Sequence, residues 1–207
     1  MPMLLFDPGW APLGDGALRM PRPHDVDPRA LLERLRRWPL VVDVVVTEEH
    51  LSIHFDPAAP PADPWQAVAG MARASDAGPP TGREIAVAAR YDGPDLAEVA
   101  TRAGLSIDET IAIHAGANYT VAMIGFLPGF AYLRGIDERL NVPRLATPRT
   151  RVPAGAVGLA AGYTAVYPFG SPGGWNLVAT AVGFAAFDPE RGAALAIGDR
   201  VRFEPVG

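Results

Sequence analysis

The stretch RLNVPRLATPRTRVPAG, Arg139 to Gly155, interleaves four arginines with three prolines. Proline holds φ at about −65° and removes a backbone donor, so these guanidinium groups ride on stiff backbone. A guanidinium held still can grip a carboxylate or a phosphate through two parallel hydrogen bonds. Arg144 and Arg149 are therefore the candidate anion ligands. Two other segments share this character. GFLPGFAYLRG (125–135) sets Pro128 and Gly129 between aromatic residues, and YTAVYPFGSPGGWN (163–176) contains a Ser-Pro-Gly-Gly-Trp turn. Glycine lets backbone come close to a ligand. The VPAG turn at Gly155 and the Pro172-Gly173-Gly174 turn can thus present N–H groups as an anion nest. The plainer reading of each glycine turn is the corner of a β-barrel.

Other chemistry is limited by what the chain contains. It has no cysteine, which excludes a cysteine nucleophile, a thiolate zinc site and a disulfide. All 18 basic residues are arginine, so there is no Schiff-base, biotin-carrying or P-loop lysine. Acid–base work falls to Asp, Glu, Tyr or one of four histidines. His50 and His54 share the polar face of an expected strand without a third ligand, so no metal site is expected. His24 sits in a proline-rich loop. His114 closes a helix, where the dipole favours a cation, and it is the histidine nearest in sequence to the loops of interest. Tyr119, Tyr163 and Tyr167 read as core or rim aromatics, any of which can donate to a ligand. No GxSxG elbow or paired-carboxylate signature appears.

The elements that must position these residues follow from periodicity and punctuation. At 207 residues, 49% hydrophobic and 20% charged, the chain suits one large or two small globular domains. DPRALLERLRRWP (27–39) predicts a helix with Asp27 as N-cap and Pro28 at its first position, with Leu31, Leu32 and Leu35 on one face. Residues 41–56 predict two strands about a turn at Glu48–Glu49. Residues 61–76 predict a second helix, and AGPPTG (77–82) a linker. After it, REIAVAAR predicts a strand, and two short helices follow. Ser106 with Glu109 forms a capping box at the second. From Tyr119 onward, short strands separated by Gly- and Pro-rich turns predict a barrel or sandwich. The expected class is α+β. A small α/β sandwich domain spans 1–78 and a β-barrel domain 79–207.

Partners are constrained in the same way. LAEVATRAGLSIDETIAIH (96–114) has helix-turn-helix spacing. From Asp92 to His114, however, five acids face Arg102 alone, and phosphate would be repelled. With a net charge of −5, no nucleic-acid or anionic-membrane partner is expected. The apolar runs fall short of a membrane span. MPMLLFDPGWAPLGDG lacks a basic leader region, so the expected location is the cytoplasm.

At GFLPGFAYLRGIDERLNVPRLATPRTRVPAGAVGLAAGYTAVYPFGSPGGWNL the chain resembles the small subunit of bacterial ATP-dependent 5-oxoprolinase. That family has also been labelled allophanate hydrolase subunit 1, and it includes the KipI inhibitor of a histidine kinase. The resemblance extends through LGDGAL, LSIHFDP, the paired helices ending at His114 and the closing GDRVRF. It implies an N-terminal α/β domain followed by a cyclophilin-like barrel related to the carboxyltransferase part of urea carboxylase. It also implies two partners, a larger homologous barrel protein and an amidohydrolase-like protein. The complex would open 5-oxoproline, or a related small cyclic amide, to glutamate using ATP with magnesium. In that setting the arginine loop would hold the 5-oxoproline carboxylate or a phosphoryl group in transit. Arg149 and His114 would be the catalytic residues. Arg144, Gly155, Tyr167, Pro172, Gly173 and Gly174 would bind substrate. The alternatives are a KipI-like kinase inhibitor and a divergent member without catalysis. Carboxyltransferase chemistry would need a separate biotin carrier. Three departures fall at the site: Ala156 replaces a serine, AGYTAVYP replaces GGQTGIYP at Tyr163 and Ala165, and Thr180 replaces an arginine.

Overall fold

A computed structural model of the chain describes residues 11–14, 16–23, 26–58 and 82–207. The chain forms two compact units, 1–81 and 82–207. The helix expected over 61–76 and most of the 77–82 linker lie outside the described residues, as does His24.

In the first unit, β1 (Ala11–Leu13), β2 (Ala17–Pro21), β3 (Val41–Val46) and β4 (His50–Phe55) form an antiparallel sheet in the order β1-β2-β4-β3. The helix α1 (Pro28–Arg36) starts where the sequence signals it. The Asp27 carboxylate accepts the Arg29 N–H at 2.9 Å, and Pro28 needs no partner for its nitrogen. Its Leu31 and Leu35 are buried, whereas Leu32 is half-buried. Alternation on β4 buries Leu51, Ile53 and Phe55 and leaves Ser52 and His54 on the other face.

The second unit is a closed barrel. Its strands are β5 (Glu84–Arg90), β6 (Tyr119–Ile124), β7 (Ala131–Arg134), β9 (Ala156–Ala160), β10 (Tyr163–Val166), β12 (Asn176–Ala181) and β15 (Arg200–Pro205), in the order β10-β7-β6-β15-β5-β12-β9. Only β15 and β5 run parallel. Closure leaves no free edge among these strands. Two-stranded ribbons stand outside it: β8 (Arg149–Val152) with β11 (Ser171–Gly173), and β13 (Phe187–Asp188) with β14 (Gly192–Ala193). Sequence pattern alone missed β7, β8, β11 and β14, because they are short and rich in Pro, Gly or Arg.

Between β5 and β6 lie α2 (Leu96–Ala103) and α3 (Ile107–Gly116). Gly104 ends α2 in the left-handed region at φ 68°, and the Ser106–Glu109 capping box opens α3. Successive residues of β9 and β10 fall into two different cores. Val157, Leu159 and Val166 join Val87, Tyr119, Val121, Leu133, Val178 and Phe203 in the barrel interior. Ala156, Ala160, Ala165 and Tyr167 join Phe130, Val152, Trp175 and Leu177 on the outer face of the same strands. This alternation decides which site residues can meet.

Candidate functional site

The arginine–proline connection is tied to the barrel at three points. The Ala161 N–H donates to the Val142 carbonyl at 2.9 Å. Asn176, fully buried on β12, donates from Nδ2 to the Pro143 carbonyl at 2.9 Å and the Leu159 carbonyl at 3.2 Å. The Leu145 N–H donates to the Gly174 carbonyl at 2.7 Å. Arg144 therefore lies between two anchors that grip residues 174 and 176, and its charge acts on Tyr132 and Tyr167. Its side chain is exposed, and no carboxylate pairs with it among the described residues. Prolines 143 and 148 limit the alternative conformations of this segment; buried hydrogen bonds select one.

Arg149 is differently placed. It opens β8 opposite Gly173 and donates from Nη2 to Asp95 Oδ1 at 2.6 Å, with a longer contact from Nη1 to the Trp175 carbonyl at 3.5 Å. The other oxygen of Asp95 accepts the Leu177 N–H at 2.7 Å. Asp95 occupies the N-cap position of α2 but makes no cap there; its carboxylate is turned instead to Arg149 and β12. Arg149 is thus charge-compensated from within the fold. Arg139 likewise pairs with Asp137, whose carboxyl the guanidinium holds down at about 2. Arg151 is exposed near the Gly170 end of the ribbon and pairs with no carboxylate among the described residues.

The remaining sequence candidates surround an aromatic floor. Phe130 packs edge-on against Tyr132, Tyr167 and Trp175 at centroid distances of 5.0–5.4 Å. Tyr132 also meets Tyr163 and Trp175 edge-on at 5.7 and 5.6 Å. Gly173 must lack a side chain here, since a Cβ would sit 2.5 Å from the Tyr167 hydroxyl. Burial raises the Tyr167 pKa, against a downward pull from the Trp175 N–H and from the Arg149 and Arg144 charges. Burial likewise raises that of Tyr132, and Arg144 lowers it. Gly155, at φ 79°, exchanges backbone bonds with Tyr167 and Ala181. Gly174 lies over Pro148, and Pro172 is exposed. The Ser171 hydroxyl is buried without a hydrogen-bond partner.

One expected neighbour is elsewhere. His114 is 1% exposed and points into the barrel interior. Its Nδ1 bonds the Tyr91 hydroxyl at 2.7 Å, its Nε2 bonds Thr164 Oγ1 at 3.0 Å, and its ring stacks on Phe203. Thr164 faces inward while its neighbours Tyr163 and Ala165 face outward, so His114 and the arginine face lie on opposite sides of β10. The expectation that His114 stands beside the arginines is corrected on this ground. Burial drives its pKa down to about 3, which keeps the ring neutral.

The structure brings together Arg144, Arg149, Tyr167, Gly173 and Gly174 and adds Asp95, Asn176 and Tyr132; Tyr132 was expected with Phe126 and Phe130 in an exposed aromatic patch for a protein partner, but Phe130 is buried and only Phe126 is exposed. Asp95 was legible only as one of several helix acids. Among the described residues, no group of three His, Asp or Glu side chains is arranged to hold a metal ion. An open recess of about 650 Å³ lies along β5, β6 and β15, bordered by Glu84, Asn118, Thr120, Arg200 and Arg202. Its charges are spent in part on each other, with Arg200 3.6 Å from Glu84.

Comparison with known proteins agrees with this architecture. Residues 10–196 match the family model described as carboxyltransferase domain, subdomain C and D. The chain is 36% identical to the B subunit of 5-oxoprolinase from Escherichia coli O157:H7 over 181 residues, covering 84% of this chain and 83% of that one. It is 45% identical to the B subunit of 5-oxoprolinase from Bacillus subtilis (strain 168) over 113 residues, covering 54% and 47%. The crystal structure of TTHA0988 superposes with a TM-score of 0.82 at 35% identity, covering 92% of this chain but only 40% of that longer one. The resemblance to 5-oxoprolinase small subunits and the α+β class are both borne out. The chain belongs to the carboxyltransferase subdomain C and D family.

Proposed function

We propose that this protein is one component of a 5-oxoprolinase-type complex and that its outer barrel face binds the anionic part of the substrate. The observation that carries this reading is Arg144, held between backbone anchors at Pro143 and Leu145 near Tyr132 and Tyr167 and left without a carboxylate partner among the described residues. A positively charged group fixed before substrate arrives costs no reorganisation when charge must be bound. The relatives named as B subunits of 5-oxoprolinase support the choice of reaction.

In this reading the chain is inactive alone. A larger homologous barrel protein and an amidohydrolase-like protein complete the enzyme, which opens the lactam of 5-oxoproline to glutamate with ATP and magnesium. This chain's contribution is to hold and orient the substrate. Arg149 acts by fixing β8 and the Gly173–Gly174 turn through Asp95, and His114 by holding α3 to the barrel. The kinase-inhibitor alternative draws on Phe126, a residue 61% exposed at the tip of the 125–130 turn, which suits a protein partner.

The test is 5-oxoproline-dependent ATP hydrolysis by the chain alone, with the large partner, and with the full complex. Activity that appears only on mixing, and falls on Arg144→Ala, is the expected result. Full turnover by the Arg144→Ala complex would overturn the binding role. A chain that forms no complex with the large partner but inhibits a histidine kinase would establish the alternative.

A further inference from the structure

We infer that strand β3 is a docking edge and that its occupant is the β3 strand of a second copy of this chain. The two strands pair antiparallel about a two-fold axis at Val45, and the Asp43 carboxylate competes for the same edge. This pairing concerns the first unit alone and does not rest on the proposed function.

The sheet β1-β2-β4-β3 has two edges, and they are built differently. Strand β1 is three residues long with Pro12 at its centre, and a short strand with a proline makes a poor template. Strand β3 is six residues long and reads VVDVVV. Val42 is 61% exposed and Val45 41%, and no strand pairs on the far side of β3 among the described residues. A β-branched strand with a free row of N–H and C=O groups is a template for another chain.

The hairpin register decides which backbone groups are open. The Thr47 N–H donates to the His50 carbonyl at 2.8 Å, so Thr47 turns its backbone toward β4. Backbone groups alternate along a strand, so Val45 does likewise, while Val44 and Val46 turn theirs to the open side. There the Val44 N–H meets Asp43 Oδ1 at 2.8 Å. Asp43, beside the bulge at the Val41 end of the ladder, thus shields one donor that a docking strand would use. An antiparallel second copy centred on Val45 uses all four open groups of each strand. Each Val44 N–H donates to the Val46 carbonyl of the other copy, and each Val46 N–H to its Val44 carbonyl. Charge selects this register, because like charges opposed across strands destabilise a sheet. Centring on Val46 would set Asp43 against Glu49 of the other copy, and centring on Val44 would bring the two Asp43 carboxylates to diagonal positions. Centred on Val45, each Asp43 faces the neutral Thr47, and the two carboxylates stand about 14 Å apart along the strands. One strand edge buries far less than the about 1,200–2,000 Å² of a stable complex, so the pairing is weak and grows with protein concentration.

The experiment is sedimentation velocity of the full chain over a range of concentrations. Wild type should pass from monomer to dimer as concentration rises. Asp43→Ala should strengthen the dimer by about tenfold or more, because it frees the Val44 N–H of both copies. Val45→Lys and Val45→Glu should each abolish the dimer, since residue 45 meets its own copy at the axis, and an equal mixture of the two variants should restore it. The chain has no cysteine, so a single Val45→Cys substitution can be scored for a disulfide across the axis. Residue 45 forms a pair without backbone hydrogen bonds, with Cα atoms about 4.5 Å apart, within reach of a disulfide. Mild oxidation should therefore cross-link Val45→Cys and spare Val42→Cys, although Val42 is the more exposed. Wild type and Asp43→Ala both monomeric throughout, a dimer indifferent to Val45→Lys, or equal cross-linking at the two positions would each overturn the inference. Loss of binding to a larger partner protein on Val45→Lys, with no self-association at any concentration, would assign the edge to that partner instead.

Discussion

Arg149 on β8 and Asp95 at the head of α2 form an ion pair at 2.6 Å, and the second oxygen of Asp95 receives the Leu177 N–H of β12. One carboxylate thus joins a helix, a barrel strand and the ribbon that carries the Gly173 turn. Both partners are largely shielded, with side-chain exposures of 29% and 13% for Arg149 and Asp95. Removing one member of such a pair leaves the other uncompensated. Asp95→Ala is expected to cost about 2–4 kcal/mol, from the lost pair and the orphaned Leu177 N–H. Urea unfolding of the full chain, followed by tryptophan fluorescence, measures it. A loss below about 0.5 kcal/mol, the size typical of exposed pairs, would show the pair to be idle.

His114 predicts a pH dependence. Its folded pKa, about 3, lies below its ordinary value of 6.5, because burial disfavours the charged ring. The unfolded chain therefore binds more protons between these values, and stability rises with pH across that window. The contribution is fully present above 6.5 and is lost as pH falls toward 3. Between pH 8 and pH 5 the loss from this residue is about 2 kcal/mol. Comparing wild type with His114→Gln at the two pH values isolates it: the variant should lose less on acidification. Parallel curves would mean that His114 does not titrate in this way.

Gly173→Ala places a methyl carbon 2.5 Å from the Tyr167 hydroxyl. The ring is wedged against Phe130 and has little room to withdraw. Overpacking of this kind costs about 1–3 kcal/mol. The variant should lower the melting temperature and reduce the 5-oxoproline-dependent ATP hydrolysis of the complex. Unchanged melting would mean that Tyr167 moves freely and does not define the wall.

Phe126 adopts φ 68°, a left-handed conformation that favours glycine, at the tip of a turn closed by the Gly125 N–H on the Phe130 carbonyl. Alanine and glycine at this position lose the same ring. Phe126→Gly should therefore exceed Phe126→Ala in stability by about 1 kcal/mol, reversing the ordinary order. Thermal unfolding of the two variants decides it, and an alanine variant equal to the glycine one would refute the strain.

The sequence by itself determined what acts over a few residues. Asp27 before Pro28, the Ser106–Glu109 box and the turn at Glu48–Glu49 follow from local sterics and local hydrogen bonds, and each is found in the structure. The Pro, Gly and Arg pattern of 139–155 likewise marks, from local sterics, backbone that must hold still. Only the tertiary structure decided which arginine is available. Arg149 meets its acid from 54 residues away, Pro143 its amide from 33, and His114 its threonine from 50. Those partnerships depend on barrel closure, which places β9, β10 and β12 side by side and sends alternate side chains to opposite faces. Nothing in the local spelling of His114 or Arg149 reveals which face it will join.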